Sequence, residues 1–181
     1  MKRPTKAHDL FRRKSEAGTT LIETLIALIV LFIVSMSIMT LAVTAIKTTE
    51  NQGHLASRTA EYATDKMEQL LSLAYADPYS NTAVFPIALA GGQGLTIGGS
   101  ADPGNPVAGY VDYLDVNGNL LQVNGTSPVG NWYYIRVWQI SAPAGTSHLK
   151  QITVTSRVSS MIATGGLLPQ TTVVSLKSDP L

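Results

Sequence analysis

The segment that most limits how this chain can fold is Thr24–Ile46, 23 residues without a charge. At about 1.5 Å of rise per residue, a helix of that length reaches roughly 35 Å, enough to cross a hydrocarbon core of about 30 Å. One carboxylate, Glu23, stands at its N-terminal edge, behind a short basic leader that stops at Gly18. A charge deep in a spanning helix costs roughly 2.5–3.5 kcal/mol on insertion scales, so the acid needs a partner. Cutting the chain after Gly18 would create one: the new α-amino group of Thr19, in the same turn of helix as Glu23.

Charge is placed unevenly. Residues 1–18 carry a net +4 and the remainder −3, so the overall +1 conceals a basic tip on a mildly acidic body. Basic flanks of a membrane segment stay on the cytoplasmic side. The leader is therefore expected in the cytoplasm and the bulk of the chain across the membrane. The absence of cysteine excludes thiolate metal sites, disulfides, Cys nucleophiles and lipoprotein anchoring. No basic patch survives beyond residue 18, so no nucleic-acid partner is expected. Ser35, Ser37, Thr40 and Thr44 are small and polar within the apolar run. They can bond back to carbonyls one turn earlier or let neighbouring helices approach closely. A secretory signal peptide cut after Ala45, in Val43-Thr44-Ala45, is a competing reading. The run is too long for an h-region of about 7–15 residues, and Glu23 fits badly there. A plain uncleaved anchor is a further rival.

The helical pattern continues past the membrane. Ala56, Ala60, Ala63, Met67, Leu70 and Ala74 form one apolar stripe, with Glu61, Asp65 and Glu68 mostly on the other face. Asp77-Pro78 ends the run. One helix is expected from about Thr19 to Ala74, weakest at Thr48–Asn51 and Gly53. Residues 77–109 are rich in Pro and Gly and read as a long connection, with short edge strands at Val84–Leu89 and Leu95–Ile97. From Tyr110 the pattern is β. Tyr110–Val116 and Leu120–Val123 flank Asn117-Gly118, a hairpin signal. Trp132–Ile140 and Leu149–Ser159 follow as alternating runs, and Thr171–Lys177 as a Val- and Thr-rich one. Strands with short turns after one long helix imply an α+β fold, an antiparallel sheet covering the helical stripe.

Candidate chemistry is sparse. Asp115-Val116-Asn117-Gly118-Asn119 begins like a calcium loop, but its glycine is misplaced and no glutamate follows at position twelve. The hairpin reading wins. The glycines of 91–99 lack any phosphate-cradle pattern. Asn124-Gly125-Thr126 matches a glycosylation sequon and is read as a turn. His8, His54 and His148 are scattered, with no triad or metal spacing. On a strand, Trp132, Tyr134 and Trp138 would share a face with Arg136, while Tyr133, Ile135 and Val137 share the other. No catalytic set, metal site or cofactor site emerges, and an enzyme is not expected.

The charged leader, Gly18, Glu23 and the apolar run together resemble the class III signal of type IV pilins and pseudopilins. In that family a leader ends in Gly and Glu is the fifth mature residue; Gly18, Thr19 and Glu23 hold those places, with Thr19 replacing the usual aromatic. The resemblance implies a pilin-like fold, one long N-terminal helix packed on a small antiparallel sheet. Its parts would be a cleaved leader (1–18), a transmembrane and assembly half-helix (19–46) and a periplasmic head (47–181). The head would comprise an amphipathic helix (47–76), a variable loop (77–109) and a sheet (110–181). It also implies cleavage between Gly18 and Thr19 by a prepilin peptidase, which N-methylates Thr19, and assembly through Glu23 with other pilins or pseudopilins. Ala60-Glu61-Tyr62-Ala63-Thr64-Asp65-Lys66-Met67-Glu68-Gln69-Leu70 and the C-terminal Thr-Thr-Val-Val-Ser-Leu-Lys are similar to minor pilins of the type IV pilus modification protein kind. The mid-helix proline of many major pilins is missing; Thr40 lies in that region. The rivals are a minor pseudopilin of a type II secretion system and a non-assembling, single-pass anchored periplasmic binding module.

Overall fold

The computed structural model describes residues 20–146, 148–160 and 168–179. Gly18 and Thr19 lie outside the described residues. The chain divides into two compact units at Ala45/Ile46, each described by itself below.

One helix, α1, runs from Leu21 to Ser72 and contributes to both units. It has no break at Thr48–Gly53, where the sequence pattern is weakest. In the first unit every described residue is exposed, and the helix is long and apolar enough, by length and composition, to cross a membrane. The small polar side chains bond back along the helix: Ser35 Oγ to the Leu31 carbonyl (2.7 Å), Ser37 Oγ to Ile33 (2.9 Å) and Thr44 Oγ1 to Thr40 (2.8 Å). Their hydroxyl groups are thus satisfied without a neighbouring helix.

In the second unit α1 buries Leu55, Thr59, Tyr62, Ala63, Lys66, Met67 and Leu70. Ala63, Met67 and Leu70 of the expected stripe are buried, Ala60 is half-buried, and Ala56 and Ala74 are exposed, Ala74 lying beyond the end of α1. Leu55, Thr59, Tyr62 and Lys66, beside the expected positions, complete the contact.

Seven strands follow among the described residues: β1 (Gly98–Gly99), β2 (Val111–Leu114), β3 (Val123–Asn124), β4 (Ser127–Pro128), β5 (Tyr134–Ser141), β6 (Leu149–Val158) and β7 (Gln170–Ser178). The fold class is α+β. The main sheet is antiparallel, in the order β1-β5-β6-β7, and β2 also pairs with β5; β3 and β4 form a separate small hairpin. The expected edge strands at Val84–Leu89 and Leu95–Ile97 are not formed. Instead Asn81 bridges Ala88, and Gly98-Gly99 pairs with Ile140 and Gln139. Gly99 is required there: its φ is +82°, and a Cβ would lie 2.2 Å from the Trp138 carbonyl oxygen.

Two layers of core result. On the α1 side, Ala63, Met67 and Leu70 meet Trp138, Ile140, Ile152 and Val154, while Leu55 and Tyr62 meet Leu114, Tyr134 and Val158. On the opposite face Val111, Tyr113, Ile135 and Val137 are covered by Leu121, Val123 and Trp132. Trp132 therefore sits on the other face from Tyr134 and Trp138, edge-on to Tyr113 at 5.3 Å, whereas Tyr133 packs beside Tyr134. Regular alternation starts only at Tyr134, so the two residues before it do not follow the period of two.

Candidate functional site

Of the three residues expected to carry processing and assembly, the described structure contains Glu23. It lies in the first turn of α1, exposed, and its backbone N–H bonds the Thr20 carbonyl at 2.9 Å. A carboxylate in that turn is favoured by the partial positive charge of the helix N-terminus. Asp115, the lead residue of the discarded calcium reading, accepts hydrogen bonds from the backbone N–H groups of Asn117 and Asn119 and from Asn119 Nδ2 (2.8, 2.8 and 2.9 Å). Its oxygens serve the turn, and Gly118 takes the positive φ of +85° that the turn demands. Among the described residues no three His, Asp or Glu side chains come together as a metal site would require.

The dominant polar feature of the second unit joins residues far apart in the sequence. Lys66 on α1, Asp112 on β2 and Arg136 on β5 form a buried ionic cluster. Lys66 Nζ stands 2.6 Å from Asp112 Oδ2. Arg136 grips the same carboxylate with two parallel bonds, Nε to Oδ1 at 2.7 Å and Nη2 to Oδ2 at 2.9 Å. Its third nitrogen reaches Asp65 Oδ2 at 2.9 Å. Two cations and one anion lie in the interior, and the half-exposed Asp65 supplies the compensating charge from the rim.

Register explains why these three meet. Asp112 is the cross-strand partner of Arg136, so both side chains leave the sheet on the face that α1 covers. Lys66 lies on the buried stripe of α1 above them. Its ammonium also donates to the Thr82 carbonyl (2.5 Å) and to Gln69 Oε1 (3.2 Å), and sits 4.5 Å from the ring centre of Trp138. All three of its protons thus have acceptors, and the ring face adds a cation–π contact.

Burial pushes the Lys66 ammonium down to about 8, against the pull of Asp112. Burial alone would raise the Asp112 carboxyl; Arg136 and then Lys66 outweigh it and hold it below its ordinary value. The cluster ties helix, connection and two strands together through charge-assisted bonds. Lys66 is wholly buried and fully engaged, so the arrangement acts as a fastener and not as a nucleophile. A charged residue flanked by apolar ones on a strand (Val111-Asp112-Tyr113 and Ile135-Arg136-Val137) is the one local signal that marks two of its members.

Beside the cluster an open cleft runs along α1, with Glu61, Asp65 and Glu68 on one wall and Val84, Phe85 and Leu120 among its other lining residues. At the far end of α1, Lys177 Nζ bonds the Leu71 carbonyl, while Lys150 Nζ reaches the Tyr75 and Leu95 carbonyls at 2.6 and 2.8 Å. The last turn of α1 has no basic residue of its own, so strands β6 and β7 provide the cations that its C-terminus favours. No protein-family model, curated protein or solved structure matches this chain.

Proposed function

We propose that this chain is a prepilin-like minor subunit of a type IV pilus. It is delivered to the bacterial inner membrane with its head in the periplasm, cut between Gly18 and Thr19 by a prepilin peptidase, N-methylated on Thr19, and assembled into a filament by its N-terminal helix. The observation that carries the reading is the position of Glu23: an acid in the first turn of a helix whose described surface is apolar and exposed on every side up to Ala45. Such a surface requires hydrocarbon or other apolar helices around it. Among packed helices in low dielectric, a lone carboxylate is sustained only by a counter-charge. The amino group of Thr19 in a neighbouring subunit provides that charge once the leader is gone. The long helix continuing beneath an antiparallel sheet agrees with the pilin-like architecture that the signal implies.

The test is incorporation of Glu23→Ala. The substituted chain should reach the membrane and be processed, yet its recovery in sheared filaments should fall at least about tenfold, the loss expected when a buried ion pair is replaced by one unpaired charge. Equal recovery would refute assembly through Glu23, and absence of the unsubstituted chain from the filaments would favour an anchored module that does not assemble.

A further inference from the structure

The two edges of the main sheet are treated differently. At the β2 edge the following segment folds back: Leu121 N–H bonds the Tyr113 carbonyl at 2.9 Å, and Leu114 bridges Leu120. At the opposite edge, β7 pairs only with β6 among the described residues. Its register is unbroken from Gln170↔Arg157 to Ser178↔Leu149, with no bulge.

The bonds flanking this ladder fix which way each backbone group points. Val158 N–H donates to the Pro169 carbonyl (3.1 Å) and Asp179 N–H to the His148 carbonyl (2.9 Å). In an antiparallel ladder such pairs recur at every second residue. Thr171, Val173, Ser175 and Lys177 therefore turn N–H and C=O toward β6. Gln170, Thr172, Val174, Leu176 and Ser178 turn theirs outward, and none of these outward groups has a hydrogen-bond partner among the described residues. The same five residues are exposed, with Val174 at 55% and Leu176 at 57%.

Open edges are normally blunted by proline, charge or a bulge. Gln170–Leu176 has none of these. The one charge of β7, Lys177, is drawn inward to the Leu71 carbonyl. We propose that the outer edge of β7 is a strand-addition site. Its occupant is an extended segment of a partner protein, uncharged along the contact, whose alternate side chains are apolar and lie beside Val174 and Leu176. A row of outward donors and acceptors recognises an extended backbone, and the two apolar side chains select what that backbone carries.

A second copy of this chain fits poorly. Thr59 Oγ1 meets Thr171 Oγ1 at 3.0 Å and Lys177 reaches Leu71, so β7 runs in the same direction as the stretch of α1 beneath it. Symmetric pairing of two β7 strands is antiparallel about a two-fold axis. It would direct the stretches of α1 that lie beneath the two sheets oppositely, whereas subunits of one filament run in a single sense. This choice of occupant rests on the filament reading given above.

The test is amide exchange of the full chain in membranes of the producing cell, compared with the same chain purified alone in detergent. The amides of Thr172, Val174 and Leu176 should exchange at least about tenfold more slowly in the native membranes, while those of Val173 and Ser175 are protected in both. Val174→Pro removes only an outward donor, as edge strands tolerate. It should keep the thermal midpoint and abolish the slowing at Thr172 and Leu176. If that variant does not fold, Val174→Lys, which puts a charge on the exposed face, should abolish the slowing instead. Equal exchange in the two preparations overturns the proposal, as does slowing that survives both substitutions. Slowing that appears when the purified chain is merely concentrated would put a second copy on the edge and overturn it too. Incorporation of Glu23→Ala reports on filament assembly separately, so failure of one reading is distinguishable from failure of the other.

Discussion

Asp112→Asn should be the most damaging single-atom change in the head. The Asp112 carboxylate receives Lys66 at 2.6 Å and Arg136 at 2.7 and 2.9 Å, with every partner buried. Removing its charge leaves two cations in the interior, compensated only by Asp65 at the rim. Breaking a buried ion pair from one side costs about 3–5 kcal/mol, because the remaining charge stays desolvated. For a unit of this size that is a fall in thermal midpoint of about 10–18 °C. Trp138 lies against the Lys66 ammonium, so its fluorescence reports the cluster directly during thermal unfolding of the full chain in detergent. The companion change Lys66→Met replaces the buried cation with a flexible apolar side chain that can pack on the same ring. In the Asp112→Asn background it should restore at least about 1 kcal/mol, since the two residues are coupled. A loss below about 1 kcal/mol for Asp112→Asn, or a double variant as unstable as the sum of its parts, would refute the view that these groups are held as buried charges.

Two further predictions concern the same region. Folding lowers the Lys66 pKa to about 8 from 10.5, so between those values the unfolded chain holds more protons and stability should rise with pH, by up to about 3 kcal/mol. Chemical denaturation at pH 7.5, 8.5 and 9.5 checks this, and Lys66→Met should flatten the slope. At the acid end the sign is the same: the Asp112 carboxyl is depressed on folding, so its contribution is present above its unfolded value near 3.8 and is lost as pH falls through the folded one. Lys177→Ala should cost about 1 kcal/mol by leaving the Leu71 carbonyl at the C-terminus of α1 without its cation, measured as a shift in denaturation midpoint.

Local signals were legible in the sequence and long-range pairings were not. The uncharged run of Thr24–Ile46 has a physical length that only a helix of membrane-spanning size satisfies, and α1 begins within two residues of its expected start. Asn117-Gly118 marked a turn because its positive φ admits few residues. The runs of β5 and β6 were legible from their alternation, and that of β7 from its valines and threonines. The ionic cluster was not, because Lys66 and Arg136 lie 70 positions apart in the chain, and a lysine in an amphipathic helix ordinarily faces water. Both faces of β5 are buried because the segment bearing Leu121, Val123 and Trp132 covers one of them. No period within β5 itself encodes that cover. The centre of the stripe on α1, Ala63, Met67 and Leu70, was legible, but Ala56 at its start was not in the contact: alanine is apolar whether it sits in a contact or beside one, so it does not distinguish the two.

The account depends on the leader being removed so that Glu23 gains an amine. Intact-mass measurement of the chain extracted from its native membrane decides this most directly. A polypeptide beginning at Thr19 and heavier by one methyl group is the predicted result. A mass that retains the first eighteen residues, or one that begins after Ala45, would contradict it.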